Sequence, residues 1–429
     1  MERDVKERKM FDQNKSVGGF ESGGYDNAAF APTNINWTRV SNFLIPERPV
    51  LKWKVELGDF GTNSSYPSIA VDRQGNAIIA ATERISLGKE TGHVVQVDVN
   101  GEKKELFSTE DPLSGNVVIH QDGSILVFSR RGDNRSNPKE ENFLYHISVT
   151  GELIWKYTVP GHITAQPVID REGNIYIVSF YYVDDRKEWD WGPHGFLRCL
   201  SSNGKLKWKR EFPSAILCAP TIAENGAIIF ALNHTKSIVA LTKDRKILWE
   251  TPVKQCTGEH SFPVNSSGVF FATYRVSEHE EALYALDWNG KIKWSYQPKE
   301  GFVFSVPAIT ETGDLLLNLS HFRIALLDEA GTERWVTQTS GLGSSPPIID
   351  REGNFYQLTV SPPFTKLESW IEVFSKQGEK KWEYKVEKSA IVASAIASDN
   401  RIYLLVSKTI QSRKTRSMTQ KLYLIALGS

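Results

Sequence analysis

The sequence predicts an all-β fold, an eight-bladed β-propeller of four-stranded antiparallel blades, and three observations predict it. A Gly-x-x-x-Trp spacing recurs at Gly151 and Trp155, Gly204 and Trp208, Gly290 and Trp294, Gly331 and Trp335, and Gly378 and Trp382. A Pro-led apolar run and a turn rich in Gly, Asn and Asp follow these anchors, as at residues 167–174, 220–226, 307–313 and 347–354. The final apolar run, Leu422 to Leu427, lacks the fourth run that should succeed it, while Val50 to Trp53 reads as a fourth run without a third. Self-similarity of this period, with four short β-rich runs per unit, is the mark of propeller blades.

Residues 1–45 stand apart. Gly18-Gly19, Gly23-Gly24 and many Asn and Ser residues predict a flexible arm draped over the disc, with Phe20, Tyr25, Phe30 and Trp37 available for docking. The first ten residues are charged where a signal peptide needs an apolar core, and no stretch reaches the ~18 apolar residues of a membrane span. The ring then occupies residues 46–429, with anchors at Trp53, position 105, Trp155, Trp208, Trp249, Trp294, Trp335 and Trp382. Arg245 replaces the Gly before Trp249. At position 105 a Glu replaces the Trp, leaving Phe107 to fill the space. One tryptophan per blade at a fixed place predicts a blade-docking role, since a large flat ring can pack on the adjacent sheet. The two chain ends are expected to complete one blade, which removes the exposed edges of an open array.

Lys plus Arg (51) balances Asp plus Glu (51), so the chain lacks the net field of a sequence-independent nucleic-acid binder. The 40% hydrophobic content excludes global disorder. Cys199, Cys218 and Cys256 are too few for a disulfide framework and fit a reducing compartment, so a cytoplasmic monomer is expected.

Leu283 to Trp294 combines Leu-x-Ala-Leu-Asp with Gly-x-x-x-Trp, and on these residues the chain resembles the pyrroloquinoline-quinone-like (PQQ-like) repeat family over residues 46–429. The resemblance implies the eight-bladed propeller of quinoprotein alcohol dehydrogenases and of an outer-membrane-assembly lipoprotein. It admits PQQ with Ca²⁺ as a cofactor, although the residues themselves lead to the expectation of none. None of the three cysteines is adjacent to another, unlike the cysteine pair of many quinoproteins, and no lipidated Cys follows a signal peptide. The fold alone does not assign an activity.

Within each blade, the turns joining first to second and third to fourth runs are short and share one face of the disc. The second-to-third connections are predicted to swell on the other face, at residues 83–93, 130–142, 180–195, 361–369 and 407–421. Long loops on a rigid scaffold are where binding usually resides. The richest holds Tyr181, Tyr182, Asp184, Asp185, Trp189, Asp190, Trp191 and His194. It reads either as an aromatic wall for a planar or sugar-like ligand, with the aspartates as acceptors or cation ligands, or as a lid folded on its own aromatics. Residues just before the innermost runs belong at the channel mouth, among them Tyr66, Gln166, Cys218, Phe304, Ser305, Ser344 and Ser345. Glu259 and His260 there are the candidates for an acid and base pair or part of a metal site, although neighbours on a strand point oppositely.

His234 and His321 hold equivalent places between second and third runs, where loop hydrogen bonding is the expected role. The stretch 408–421 carries five positive charges and no acid, and reads as a solvated loop or as a seat for an acidic peptide or phosphate-bearing partner. Together these features predict a non-catalytic scaffold that binds a small molecule or a protein or peptide partner, with no nucleic acid and no membrane span. The alternative is an enzyme at the channel mouth, a PQQ-dependent oxidoreductase or a small-metabolite tailoring enzyme.

Overall fold

The computed structural model describes residues 41, 43–60, 68–86, 89–120, 122–130, 141–181, 194–223, 225–253, 261–272, 282–303, 305–362, 366–411 and 418–429. The β-rich runs pair in sequence order into eight antiparallel sheets, the blades of an eight-bladed propeller. Blades 1 to 7 span residues 69–109, 113–160, 162–212, 221–252, 264–296, 308–338 and 342–387. Blade 8 joins Ala390–Ile396, Ile402–Gln411 and Met418–Gly428 to Val50–Phe60 from the other end of the chain. The closing pair runs antiparallel, with Val50 opposite Gly428, Val55 opposite Leu424 and Phe60 opposite Gln420. The expected ring closure is therefore present.

Burial follows radius. In blade 4 the second and third strands, Ile228–Leu232 and Ser237–Leu241, are buried throughout, whereas the fourth, Ile247–Pro252, alternates between exposed and half-buried. Apolar faces of neighbouring blades meet face to face, so each core cluster spans blades; Leu126 and Leu144 of blade 2 pack with Ile175 and Ile177 of blade 3. Tryptophans tie these seams. Trp155 Nε1 donates to Ser202 O of blade 3 at 3.0 Å, and Trp53, Trp249 and Trp294 donate to Val99, Trp288 and Glu329 O of their next blades at 2.9–3.0 Å. Gly204 beneath the Trp155 ring has φ +76, and a Cβ there would lie 2.7 Å from Trp155 Cδ2. Only glycine combines that left-handed backbone with so close an approach.

Trp382 makes the same bond differently. Blade 8 takes its third and fourth strands from distant parts of the sequence, so no turn joins them, and Trp382 Nε1 donates instead to Pro46 O at 2.9 Å. Ser41 and residues 43–46 lie across the junction of blades 7 and 8. Ser41 N donates to Ile349 O of the innermost strand, Leu44 N to Asn400 Oδ1 and Ile45 N to Asp350 Oδ2.

In blade 1, Glu105 pairs with Val95 and Phe107 with Val94, the strand bulging between them, whereas the bulge in blade 3 falls between Leu206 and Trp208. The displaced bulge turns Phe107 toward blade 2, its ring 5.6 Å from Tyr145.

The described parts of two of the expected long loops are strand instead. Residues 83–86 and 89–93 pair as an extended hairpin, with Glu83 opposite Thr91 and Arg84 opposite Glu90. Residues 407–411 and 418–421 likewise extend the central hairpin of blade 8, so Lys408 and Lys421 stand on strands, while residues 412–417, with Arg413, Lys414 and Arg416, lie outside the described residues. Lys408 and Lys421 face each other across that pair, and the Glu56 carboxylate on the next strand accepts from Lys421 Nζ, offsetting the like-charge contact.

Candidate functional site

The two faces of the disc are built from different turn chemistry. On one, a carboxylate or hydroxyl at the end of a strand accepts from backbone N–H groups two and four residues on, as Asp170 Oδ1 does from Glu172 and Asn174 at 2.9 Å and Asp287 Oδ1 from Asn289 and Lys291. These turns are satisfied internally and leave little to offer a ligand. On the other face the connections differ from blade to blade. Blades 4 and 6 use tight turns that hold His234 and His321; His234 N donates to Ser214 Oγ at 2.6 Å and His321 has φ 61.

Blade 3 presents the aromatic group on that second face. Tyr181 closes its second strand and His194 opens its third, directly opposite in the ladder. Their rings stack at 5.6 Å and 16°, and Tyr181 also stacks on Phe196 at 5.1 Å and 22°. His194 Nδ1 pairs with the Glu211 carboxylate of the outer strand. Deeper along the same face lies Arg198, 2% exposed, whose Nη1 donates to Ser179 Oγ at 2.5 Å. The guanidinium sits 5.1 Å from the Phe196 ring, and Lys209 Nζ lies 4.5 Å from that ring. Burial holds the Arg198 pKa below its ordinary value, partly offset by the nearby Tyr157 and Tyr181.

Of the residues the sequence singles out for ligand binding, Tyr181 and His194 are brought together. Gln166 is elsewhere, 8% exposed just before the inner strand Val168–Ile169. Tyr66, Tyr182, Asp184, Asp185, Trp189, Trp191 and Phe304, with the acid and base candidates Glu259 and His260, lie outside the described residues.

Sequence reasoning missed two further polar clusters. Ser124 Oγ lies 2.5 Å from both Asp122 Oδ1 and His146 Nε2, and His120 Nδ1 is 3.1 Å from the same carboxylate oxygen. Because Ser124 has one proton and gives it to Asp122, His146 donates through Nε2. His146 is 4% exposed and 4.8 Å from the Trp155 ring, and burial lowers its pKa. Ser124 is equally enclosed, so the arrangement braces blade 2 rather than presenting a nucleophile. In blade 7, the Glu372 carboxylate is fully buried and accepts from Ser340 N, Thr359 Oγ1 and Lys380 Nζ.

A signal for these was available in the third runs. The x of Leu-x-Ala-Leu is Val95, Tyr145, Val239, Tyr284, Ala325 and Ile425 in six blades but Arg198 in blade 3 and Glu372 in blade 7. The following position is Ala240, Ala285 and Ala426 in three blades but His146 in blade 2.

Among the described residues, no group of three or more His, Cys, Asp and Glu side chains is placed to hold a metal ion. Cys199 and Cys218 are buried and outside any disulfide, and burial pushes Cys199 up to about 11. No helix among the described residues is long and apolar enough to cross a membrane.

Residues 234–416 match the model of the family described as outer membrane protein assembly factor BamB. Over those residues the chain is similar to that PQQ-like repeat family. No curated protein matches the propeller. Among solved structures it is similar to BamB from Moraxella catarrhalis, at 12% identity over 73% of this chain and 96% of that one, with a TM-score of 0.44. A europium-containing methanol dehydrogenase matches at 13% identity over 97% and 100%, with a TM-score of 0.48. The C-terminal WD40 domain of Sif2 matches at 9% identity over 87% and 99%, with a TM-score of 0.56. The last likeness is one of fold alone.

Proposed function

We propose that the propeller is a non-catalytic scaffold that binds a small molecule or a protein or peptide partner on the face carrying the second-to-third connections. The observation that carries this reading is the Tyr181, His194 and Phe196 stack at the root of the blade 3 connection, on the face whose turns are not stereotyped. Flat rings fixed by a rigid ladder contribute contact area at little entropic cost to a planar or sugar-like ligand. Tyr182, Asp184, Asp185, Trp189 and Trp191 belong to the same proposed site, with Tyr66, Gln166 and Phe304 contributing at the channel mouth. A monomer in a reducing compartment is part of the reading, the compartment being consistent with Cys199 and Cys218 standing outside any disulfide.

The test is a thermal-shift screen of planar and sugar-like metabolites on the full chain and on Tyr181→Ala. Stabilisation that the wild type shows and the variant loses supports the scaffold. Adding PQQ with Ca²⁺ addresses the oxidoreductase alternative and its candidates Glu259 and His260. Alcohol-dependent dye reduction in that mixture would overturn the scaffold reading.

A further inference from the structure

We propose that Arg198 anchors an oxyanion, the carboxylate or phosphate of a small ligand, in the seam between blades 2 and 3. This deepens the binding role proposed above and rests on it for the face by which the ligand enters. A guanidinium is almost never fully buried unless it is paired. Arg198 is 2% exposed, its side chain makes one hydrogen bond, to the neutral Ser179 hydroxyl, and no carboxylate lies within ion-pair distance among the described residues. Four of its five N–H donors are left for something else.

The repeat provides the control. Glu372 occupies the same ladder position in blade 7, four blades away, where Thr359 takes the place of Ser179. That buried charge is answered from within the chain: Thr359 Oγ1 donates at 2.6 Å, Ser340 N at 2.9 and 3.0 Å to the two oxygens, and Lys380 Nζ at 2.8 Å. The fold therefore supplies a complete shell to a charge at this position where the charge is structural. In the six other blades the position is apolar or a tyrosine. Arg198 has neither the apolar identity nor the shell.

The surroundings fit an oxyanion. Lys209 stands opposite Arg198 in the ladder, so a second cation flanks the Phe196 ring from the outer strand. The planar guanidinium fork matches carboxylate and phosphate in two-point contact. The half-buried Tyr181 and His194 stack lies on the same sheet face, toward the open end of the ladder, where it would flank the rest of the ligand.

The experiment titrates the full chain with inorganic phosphate and, separately, with benzoate, against chloride at matched ionic strength, reading melting temperature and heat of binding. Saturable binding of at least one probe is expected, weakened at least tenfold in R198Q and partly retained in R198K, which keeps the charge and loses the fork. The stronger probe identifies the source as phosphate or carboxylate. Should R198Q not fold, R198K carries the comparison. Binding of neither probe beyond chloride, or binding unchanged in both variants, overturns the inference. If the probes fail while a metabolite still binds in a Tyr181-dependent way, this inference falls and the proposed function stands. If the probes bind through Arg198 while Tyr181→Ala changes nothing, the reverse holds.

Discussion

Gly204→Ala, compared with Gly353→Ala, isolates what a single tryptophan contributes to blade docking. Both glycines have left-handed backbones, φ +76 and +85, so both substitutions share a conformational cost of about 1–2 kcal/mol. They differ in what a new Cβ meets. At Gly353 the nearest atom is Lys376 Cβ at 3.5 Å, an ordinary contact. At Gly204 the Trp155 ring atoms lie at 2.7, 2.9 and 3.0 Å, so the ring must move. Overpacking of this kind costs roughly 1–3 kcal/mol, and displacing Trp155 from Ser202 O forfeits about 1 kcal/mol more. Gly204→Ala should therefore exceed Gly353→Ala by about 2–4 kcal/mol. Guanidinium unfolding followed by tryptophan fluorescence measures the difference, which corresponds to only about 1 °C per kcal/mol in melting temperature for a ring of this size. Equal costs, within about 0.5 kcal/mol, would refute the docking role of the Trp155 seam.

Deleting residues 422–429 removes most of the strand that lies between Val50–Phe60 and Ile402–Gln411, and is expected to broaden the melt across the whole ring; an unchanged single transition would count against closure. Tyr403→Phe removes the hydroxyl that donates to Gly75 O at 2.7 Å across blades 8 and 1, leaving a carbonyl without that bond, and should cost about 1–3 kcal/mol by chemical denaturation. Because burial lowers the pKa of His146, the unfolded chain takes up its proton first as pH falls. Stability from this group is present above about pH 6.5 and is lost as pH falls toward the lower folded value, by at most about 1.4 kcal/mol per pH unit. His146→Gln should flatten the pH dependence of denaturation midpoints between about pH 5 and 7. Lys380→Met leaves the buried Glu372 with only Ser340 N and Thr359, and is expected to cost about 1–3 kcal/mol, since the lysine is itself partly exposed.

The ring was legible because its signals are periodic and redundant: five glycine and tryptophan pairs, repeated Asp-initiated turns, and a third run at one terminus matched by a fourth at the other. The working face was less so. Residues 83–86, 89–93, 407–411 and 418–421 read as loops because they carry charges and Ser or Thr, yet strand ladders tolerate such residues at the ends of hairpins when cross-strand partners offset them, as Glu56 does for Lys421. Arg198, Glu372 and His146 escaped because attention fell on residues outside the repeat. Their information lies in departures within it, at positions that in most other blades hold an apolar residue or Tyr, and only ladder register shows that Arg198 and Glu372 are equivalent.

Pro46 O standing beneath Trp382 bears on how this chain could be rewired. Gly428 and Val50 are already ladder partners, so a short Asn-Gly linker could join them and new ends could be opened between any two blades. Such a circular permutant would regain a covalent turn in blade 8, and that turn would compete with Pro46 O for the indole N–H it now satisfies. Where the seam is cut would then decide whether the leading segment remains strapped across blades 7 and 8 or is released as a tether.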